Sequence, residues 1–231
     1  MFRLVGFFFL VLVLHGVLLH VPVIGPLLAR LGFFGYWAVA IFVSIFASRA
    51  ANKLVERSRF RRRVRELGAV DTPRNLGKLG ALQLAVGRYR EAEKNLQVAF
   101  DAQPEVLDWA LALGRVKATL GDYQAAGSFF SRVVFDDAQF GYGEAFLGLA
   151  EAARMLGRPD DALRAIEDHD KRHGPNPRSA YERGLCLRAL GRKDEARVAF
   201  GEVLSLRSEL PAFRRKGYGA LLWKALVARV S

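Results

Sequence analysis

One six-residue phrase recurs four times along this chain: GRYREA from Gly87, GDYQAA from Gly121, GRPDDA from Gly157 and GRKDEA from Gly191. The glycines are 34, 36 and 34 residues apart, and the closing alanines Ala92, Ala126, Ala162 and Ala196 keep the same step. A period of about 34 residues is that of a stacked helix–turn–helix unit. Such a unit cannot bury its apolar face alone, so neighbouring units must stack and share one continuous core. The recurrence therefore predicts an all-α chain built as a row of helix pairs.

The flanks keep register with the phrase. The first copy carries Leu79-Gly80, Gly87, Tyr89, Ala92, Leu96, Ala99 and Pro104, and the second Leu113-Gly114, Gly121, Tyr123, Ala126, Phe130 and Val133. The third has Leu149, Ala150, Gly157, Ala162 and Ile166, with Pro159 at the aromatic position, and the fourth has Gly184, Gly191, Ala196 and Phe200, with Lys193 there. This pattern resembles the tetratricopeptide repeat (TPR) over about 135 residues. The glycines of the phrase are expected to end the first helix of each pair in the left-handed conformation. The alanines let helices approach closely, and Leu96, Phe130, Ile166 and Phe200 supply apolar volume. Helix pairs are expected at 74–86 with 89–103, 107–120 with 123–135, 142–156 with 159–172, and 178–190 with 193–207. The two additional residues before the third copy fall near Asp136–Gly143, which reads as a widened turn.

Charge is unevenly placed. Residues 1–66 hold ten Lys and Arg against two acids, residues 67–209 hold twenty against twenty-one, and residues 210–231 hold five against none. A neutral repeat region is not expected to bind nucleic acid, which needs a basic face of its own. The single cysteine, Cys186, cannot form an intrachain disulfide and reads as a buried thiol in an apolar stretch.

Ahead of the repeats lie two uncharged apolar runs, residues 4–24 and 31–48, joined by a stretch with Pro22, Gly25, Pro26 and Arg30. Each is long enough to be read as a transmembrane helix. Directly after them come Arg49, Lys53, Arg57, Arg59, Arg61, Arg62, Arg63 and Arg65. The positive-inside rule then puts both termini in the cytoplasm and the basic cluster against anionic headgroups; the compact hairpin and the Leu/Ala/Arg-rich repeats give the expectation of a bacterial inner-membrane protein. The expected organisation is a transmembrane hairpin at 1–48, a basic juxtamembrane segment and linker at 49–72, four repeats at 73–208 and a capping helix at 209–231. In that last segment Leu221, Leu222, Ala225 and Leu226 are expected to pack inward, with contact of Arg214, Arg215 and Lys216, near Trp223, with the membrane surface as the alternative.

The resemblance implies a groove lined by the first helices of the pairs and suited to a peptide. Its usual positions fall here on Lys78, Leu84, Arg115, Thr119, Glu151, Arg154, Tyr181, Glu182 and Arg188. One TPR subclass grips a chaperone's C-terminal carboxylate with Lys and Asn. Here Gly77, Ala81, Ala112, Glu144 and Gly148 stand at those places, so that role is not expected. His169 and His173 share a helix face at a spacing that metal sites use, but a third ligand is missing, and the pair reads as a solvated helix end. No phosphate-binding glycine loop, dinucleotide fingerprint or nucleophile elbow occurs. The chain is thus expected to be a non-enzymatic scaffold, without catalytic residues, metal or cofactor, that binds a protein or peptide at the membrane. Its layout is also similar to HemY-like and cytochrome-maturation TPR proteins, which implies an accessory role in an envelope pathway or in a membrane enzyme complex as the alternative.

Overall fold

The structure, a computed structural model, describes residues 32–230. The first expected span, 4–24, and the connection after it lie outside the described residues. Contacts divide the chain into two units, Met1–Arg63 and Val64–Ser231. Helix α1, Gly32–Gly68, runs without a break from the second apolar run through the whole basic cluster. The basic segment is therefore helical, and the linker shrinks to the few residues before Pro73. Ile41, Phe42, Ile45 and Phe46 are exposed on α1, as are Arg49, Lys53, Arg59, Arg61, Arg62, Arg63 and Arg65. Among the described residues no helix is long and apolar enough to cross a membrane.

The second unit is a solenoid of four helix pairs: α2 Pro73–Ala85 with α3 Tyr89–Ala102, α4 Leu107–Thr119 with α5 Tyr123–Asp136, α6 Glu144–Met155 with α7 Pro159–His173, and α8 Pro177–Ala189 with α9 Lys193–Glu209. Local chemistry sets the boundaries. Thr72 caps α2 by accepting from the Asn75 N–H, and Pro73 takes the first helical position, where a missing N–H costs nothing. At the other end Gly87 adopts φ +80°. Its N–H donates to the Leu84 carbonyl at 3.1 Å, and that of Arg88 donates to the Gln83 carbonyl at 2.9 Å. This pair of bonds is a Schellman turn, which satisfies the last carbonyls of the helix. The same pair recurs at Gly121–Asp122, Gly157–Arg158 and Gly191–Arg192. The recurring phrase encodes one backbone turn four times.

Close packing follows from the same register. A Cβ on Gly114 would lie 2.6 Å from the Phe130 ring, and one on Gly184 would lie 2.5 Å from the Phe200 ring. The two helices of each of these pairs thus meet backbone against side chain. Four core clusters succeed one another along the row. Leu96, Trp109 and Leu113 belong to the first, Phe130, Val133 and Ala145 to the second, Ala150, Ile166 and Cys186 to the third, and Phe200, Val203 and Ala225 to the fourth. Burying a side chain such as Leu96 contributes about 1.5–3 kcal/mol each time.

The row ends in α10, Ala212–Arg215, a short 3-10 turn at Lys216–Tyr218, and α11, Gly219–Val230. Ala225 is fully buried in the last cluster, with Leu221, Leu222 and Ala228 against it. Leu226, expected to pack inward, is 40% exposed, because α11 turns Ala228 to the core and Leu226 away from it.

Candidate functional site

The first helices of the pairs, α2, α4, α6 and α8, touch one another in succession and form one face of the solenoid. Across it runs a ladder of ion pairs. Arg115 of α4 binds Glu144 at the start of α6. Arg178 of α8 stands 3.6 Å from Glu144 and 3.4 Å from Glu151. Farther along, Arg154 of α6 meets Glu182 of α8 at 3.3 Å. Each pair joins neighbouring repeats. The half-exposed ones are worth little individually, so their effect is to fix geometry and cancel charge on this face.

The structure thus brings Arg115, Glu151, Arg154 and Glu182 together, but mainly to neutralise one another. Glu182 is 7% exposed and has turned into the body of the solenoid. Burial pushes its pKa up, with Arg154 working in the opposite direction. Tyr181 is half-buried, its ring centroid 5.8 Å from that of Phe200, and its pKa is also raised by burial. Thr119 donates to its own helix, at the Arg115 carbonyl. Leu84 packs onto the first core cluster, and Lys78 stays exposed on α2. Arg188 lies over the Phe200 ring at 5.7 Å, at the edge nearest α9.

Where the ladder reaches the ends of α6 and α8, an open groove of about 560 Å³ appears. Tyr142, Glu144, Arg178, His173, Arg214 and Tyr218 are among the residues lining it. Three stretches meet here. One is the widened turn, in which Gly141, Tyr142 and Gly143 all take positive φ, at +61°, +55° and +76°. Another is the α7–α8 connection, and the last is the C-terminal segment around α10. The left-handed backbone at Tyr142 costs a non-glycine residue on the order of 1–3 kcal/mol. It turns out a side chain that is 89% exposed. Backbone strain beside a groove is a hallmark of working sites. Of this rim the sequence singles out Glu144, as a departure from the carboxylate-gripping pattern, His173, as half of a histidine pair, and Arg214, as part of a basic stretch read for the membrane surface. The readable signal for the rest is the FGYG phrase, Phe140–Gly143, at the end of the widened turn.

Behind the rim, His169 is fully buried, not solvated as its sequence context implied. Its Nδ1 lies 2.7 Å from an Asp170 oxygen, and its Nε2 lies 3.2 Å from the Asn176 amide nitrogen. His173 Nε2 sits 3.0 Å from the Ala138 carbonyl, holding the widened turn against α7. Among the described residues no cluster of His, Cys, Asp or Glu is arranged to hold a metal ion. Cys186 is buried, and burial pushes its thiol up to about 12.

A face neutralised by its own ion pairs and opening onto an aromatic, partly cationic groove suits an extended or helical polypeptide better than a small reactive substrate. The crystal structure of TTC0263, a thermophilic TPR protein of Thermus thermophilus, superposes with a TM-score of 0.53 at 23% identity, covering 58% of this chain and 74% of that one. A crystal structure of MamA protein gives a TM-score of 0.60 at 20% identity, covering 69% and 92%. MamA from Desulfovibrio magneticus gives 0.53 at 17%, covering 69% and 92%. At these identities the likeness is one of fold. The comparison with curated proteins finds no match. The family model for the tetratricopeptide repeat matches residues 78–141 and 147–209, more than half of the chain. The chain belongs to the tetratricopeptide-repeat family.

Proposed function

We propose that this chain is a membrane-anchored scaffold whose repeat groove holds a protein or peptide partner at the cytoplasmic face, without catalysing a reaction. The observation that carries this reading is the groove at the ends of α6 and α8. It offers two tyrosines, Tyr142 and Tyr218, beside Arg178 and Arg214, while the acids of the same face are already matched by Arg115, Arg154 and Arg178. A partner that suits it presents an apolar or aromatic anchor next to a carboxylate. Lys78, Arg115 and Thr119 extend the same face toward the first repeats.

The anchoring part of the proposal draws on the sequence and on α1. Residues 4–24 are uncharged, the exposed Ile41, Phe42, Ile45 and Phe46 form an apolar patch that calls for a covering, and a basic helix follows. Confinement to a membrane raises the effective concentration of a co-anchored partner, so modest groove affinity suffices. The test is photo-crosslinking in native membranes with the photoreactive residue at Tyr142, at Arg115, or at the exposed Lys94 of α3. A discrete partner captured from Tyr142 and Arg115, and not from Lys94, supports the groove. Equal capture from all three positions, or none, overturns it.

A further inference from the structure

At the far end of the solenoid a second, smaller cavity of about 40 Å³ lies where α8, α9 and α11 meet, lined by residues other than those of the groove. Arg188, Lys193, Arg197 and Arg229 surround it over a floor of Phe200 and Ala228, and among the described residues no carboxylate lines it. The nearest acids in sequence are engaged: Asp194 holds Arg197 at 3.2 Å, and Glu195 holds Arg192 at 2.6 Å. Arg188 has only the Phe200 ring beneath its guanidinium, at 5.7 Å. Arg229 lies against the α9 backbone, its guanidinium carbon 3.7 Å from where a side chain on Gly201 would begin. Arg188, Lys193 and Arg229 have no ion-pair partner among the described residues. On the ladder face, by contrast, Arg115, Arg154 and Arg178 each meet a carboxylate.

We infer that this cluster is a binding site for a phosphate group. Three unmatched cations converge on a space that holds a single small oxyanion and is far below the size of a drug-like ligand pocket. A carboxylate would leave most of that charge unanswered. A phosphomonoester brings nearly two negative charges and three acceptor oxygens, which the forks of two arginines meet in pairs. Guanidinium groups stacked on aromatic rings are held flat for such contacts. The apolar floor, with no acid among the described lining residues, favours an anion there. The phosphate can be free or carried on a lipid headgroup, and the chemistry of recognition is the same.

The test uses the full chain in phosphatidylcholine nanodiscs and reads acylation of individual lysines by mass spectrometry. With inorganic phosphate at about four times its dissociation constant, Lys193 acylation should slow about fivefold, the reduction that four-fifths occupancy gives, while the exposed Lys94 and Lys171 keep their rates. Discs containing one-fifth phosphatidic acid and no free phosphate form the second arm. Protection there assigns the lipid headgroup, and protection only with dissolved phosphate assigns the free ion. The R188Q/R229Q chain, both substitutions on exposed side chains, should lose protection while keeping its helical content. The inference fails if Lys193 tracks Lys94 and Lys171 in both arms. It fails equally if potassium chloride of matched ionic strength protects as well, if protection survives in R188Q/R229Q, or if a hexaglutamate peptide protects where phosphate does not.

Discussion

Asn176 caps helix α8 and fixes the tautomer of His169 with the same side-chain amide. Its oxygen accepts the N–H groups of Arg178 and Ser179 at 2.9 and 3.0 Å, which leaves its NH₂ facing His169 Nε2 at 3.2 Å. That ring nitrogen must accept, so the proton resides on Nδ1 and is donated to Asp170 at 2.7 Å. Asp170 in turn binds Arg183 with its other oxygen. Asn176→Ala removes a cap worth about 1 kcal/mol and strands a buried acceptor at a cost of about 1–3 kcal/mol. Urea melts should therefore show a loss of about 2–4 kcal/mol. Asn176→Asp keeps the cap but sets an acceptor against an acceptor. It should therefore still lose about 1–3 kcal/mol in the same melts. A loss below about 0.5 kcal/mol for the alanine variant would mean that the network contributes nothing.

Two glycines in neighbouring helices should respond oppositely to one added methyl. A Cβ on Gly114 would stand 2.6 Å from Phe130, whereas one on Gly127 would meet nothing nearer than the Ala152 methyl at 3.9 Å. Gly114→Ala forces α4 and α5 apart and should cost about 1–3 kcal/mol. Gly127→Ala removes backbone freedom from the unfolded chain inside α5 and should gain about 0.5–1 kcal/mol. Thermal melts of the two variants check both signs. A stabilised Gly114→Ala would show that the helices do not pack backbone against ring.

Glu182 gives the solenoid a pH-dependent term. Burial raises its pKa above 4.5, Arg154 opposing and Glu151 assisting. A carboxyl whose folded pKa is raised binds its proton more tightly when folded. Its contribution to stability is full below the unfolded pKa and is lost as pH rises through the folded one. Glu182→Gln copies the protonated acid. It should match the wild type near pH 4 and gain on it as pH climbs toward 7. Denaturant midpoints across that window test the sign; a variant that instead falls behind with rising pH would show that the Arg154 pair outweighs burial.

The parts of this fold legible in the sequence are those decided within a few residues. A Schellman turn needs one glycine after a helix, and a close helix contact needs a small residue opposite Leu96 or Phe130, so the period alone placed both. The groove was not legible, because Tyr142 and Tyr218 meet only after a whole repeat and the C-terminal segment have folded between them. Nor was the fate of Glu182 or His169. Helical periodicity places each on a ridge, but the neighbouring repeat decides whether that ridge faces water. The same holds for Leu226 and Ala228 on α11, whose partner surface on α9 lies twenty or more residues away.

Tyr142 should show a conflict between stability and binding. Its φ of +55° is a glycine conformation, and its side chain, 89% exposed, recovers little of the strain by packing. Replacing it by glycine relieves a left-handed backbone worth on the order of 1–2 kcal/mol, offset in part by about 0.5–1 kcal/mol of added freedom in the unfolded chain. Tyr142→Gly should therefore melt at or slightly above the wild-type temperature. Tyr142→Ala, which keeps the strain and loses the ring, should not gain. If the tyrosine is retained for the groove, both variants should capture the partner less well through a photoreactive residue at Arg115, and by the same factor. Capture at the wild-type level in both would make the exposed ring irrelevant to binding and shift the working surface toward the ion-paired ladder between Arg115 and Glu182. Reduced capture in Tyr142→Gly alone would instead assign the effect to the turn, whose left-handed geometry then needs a side chain to hold it in place.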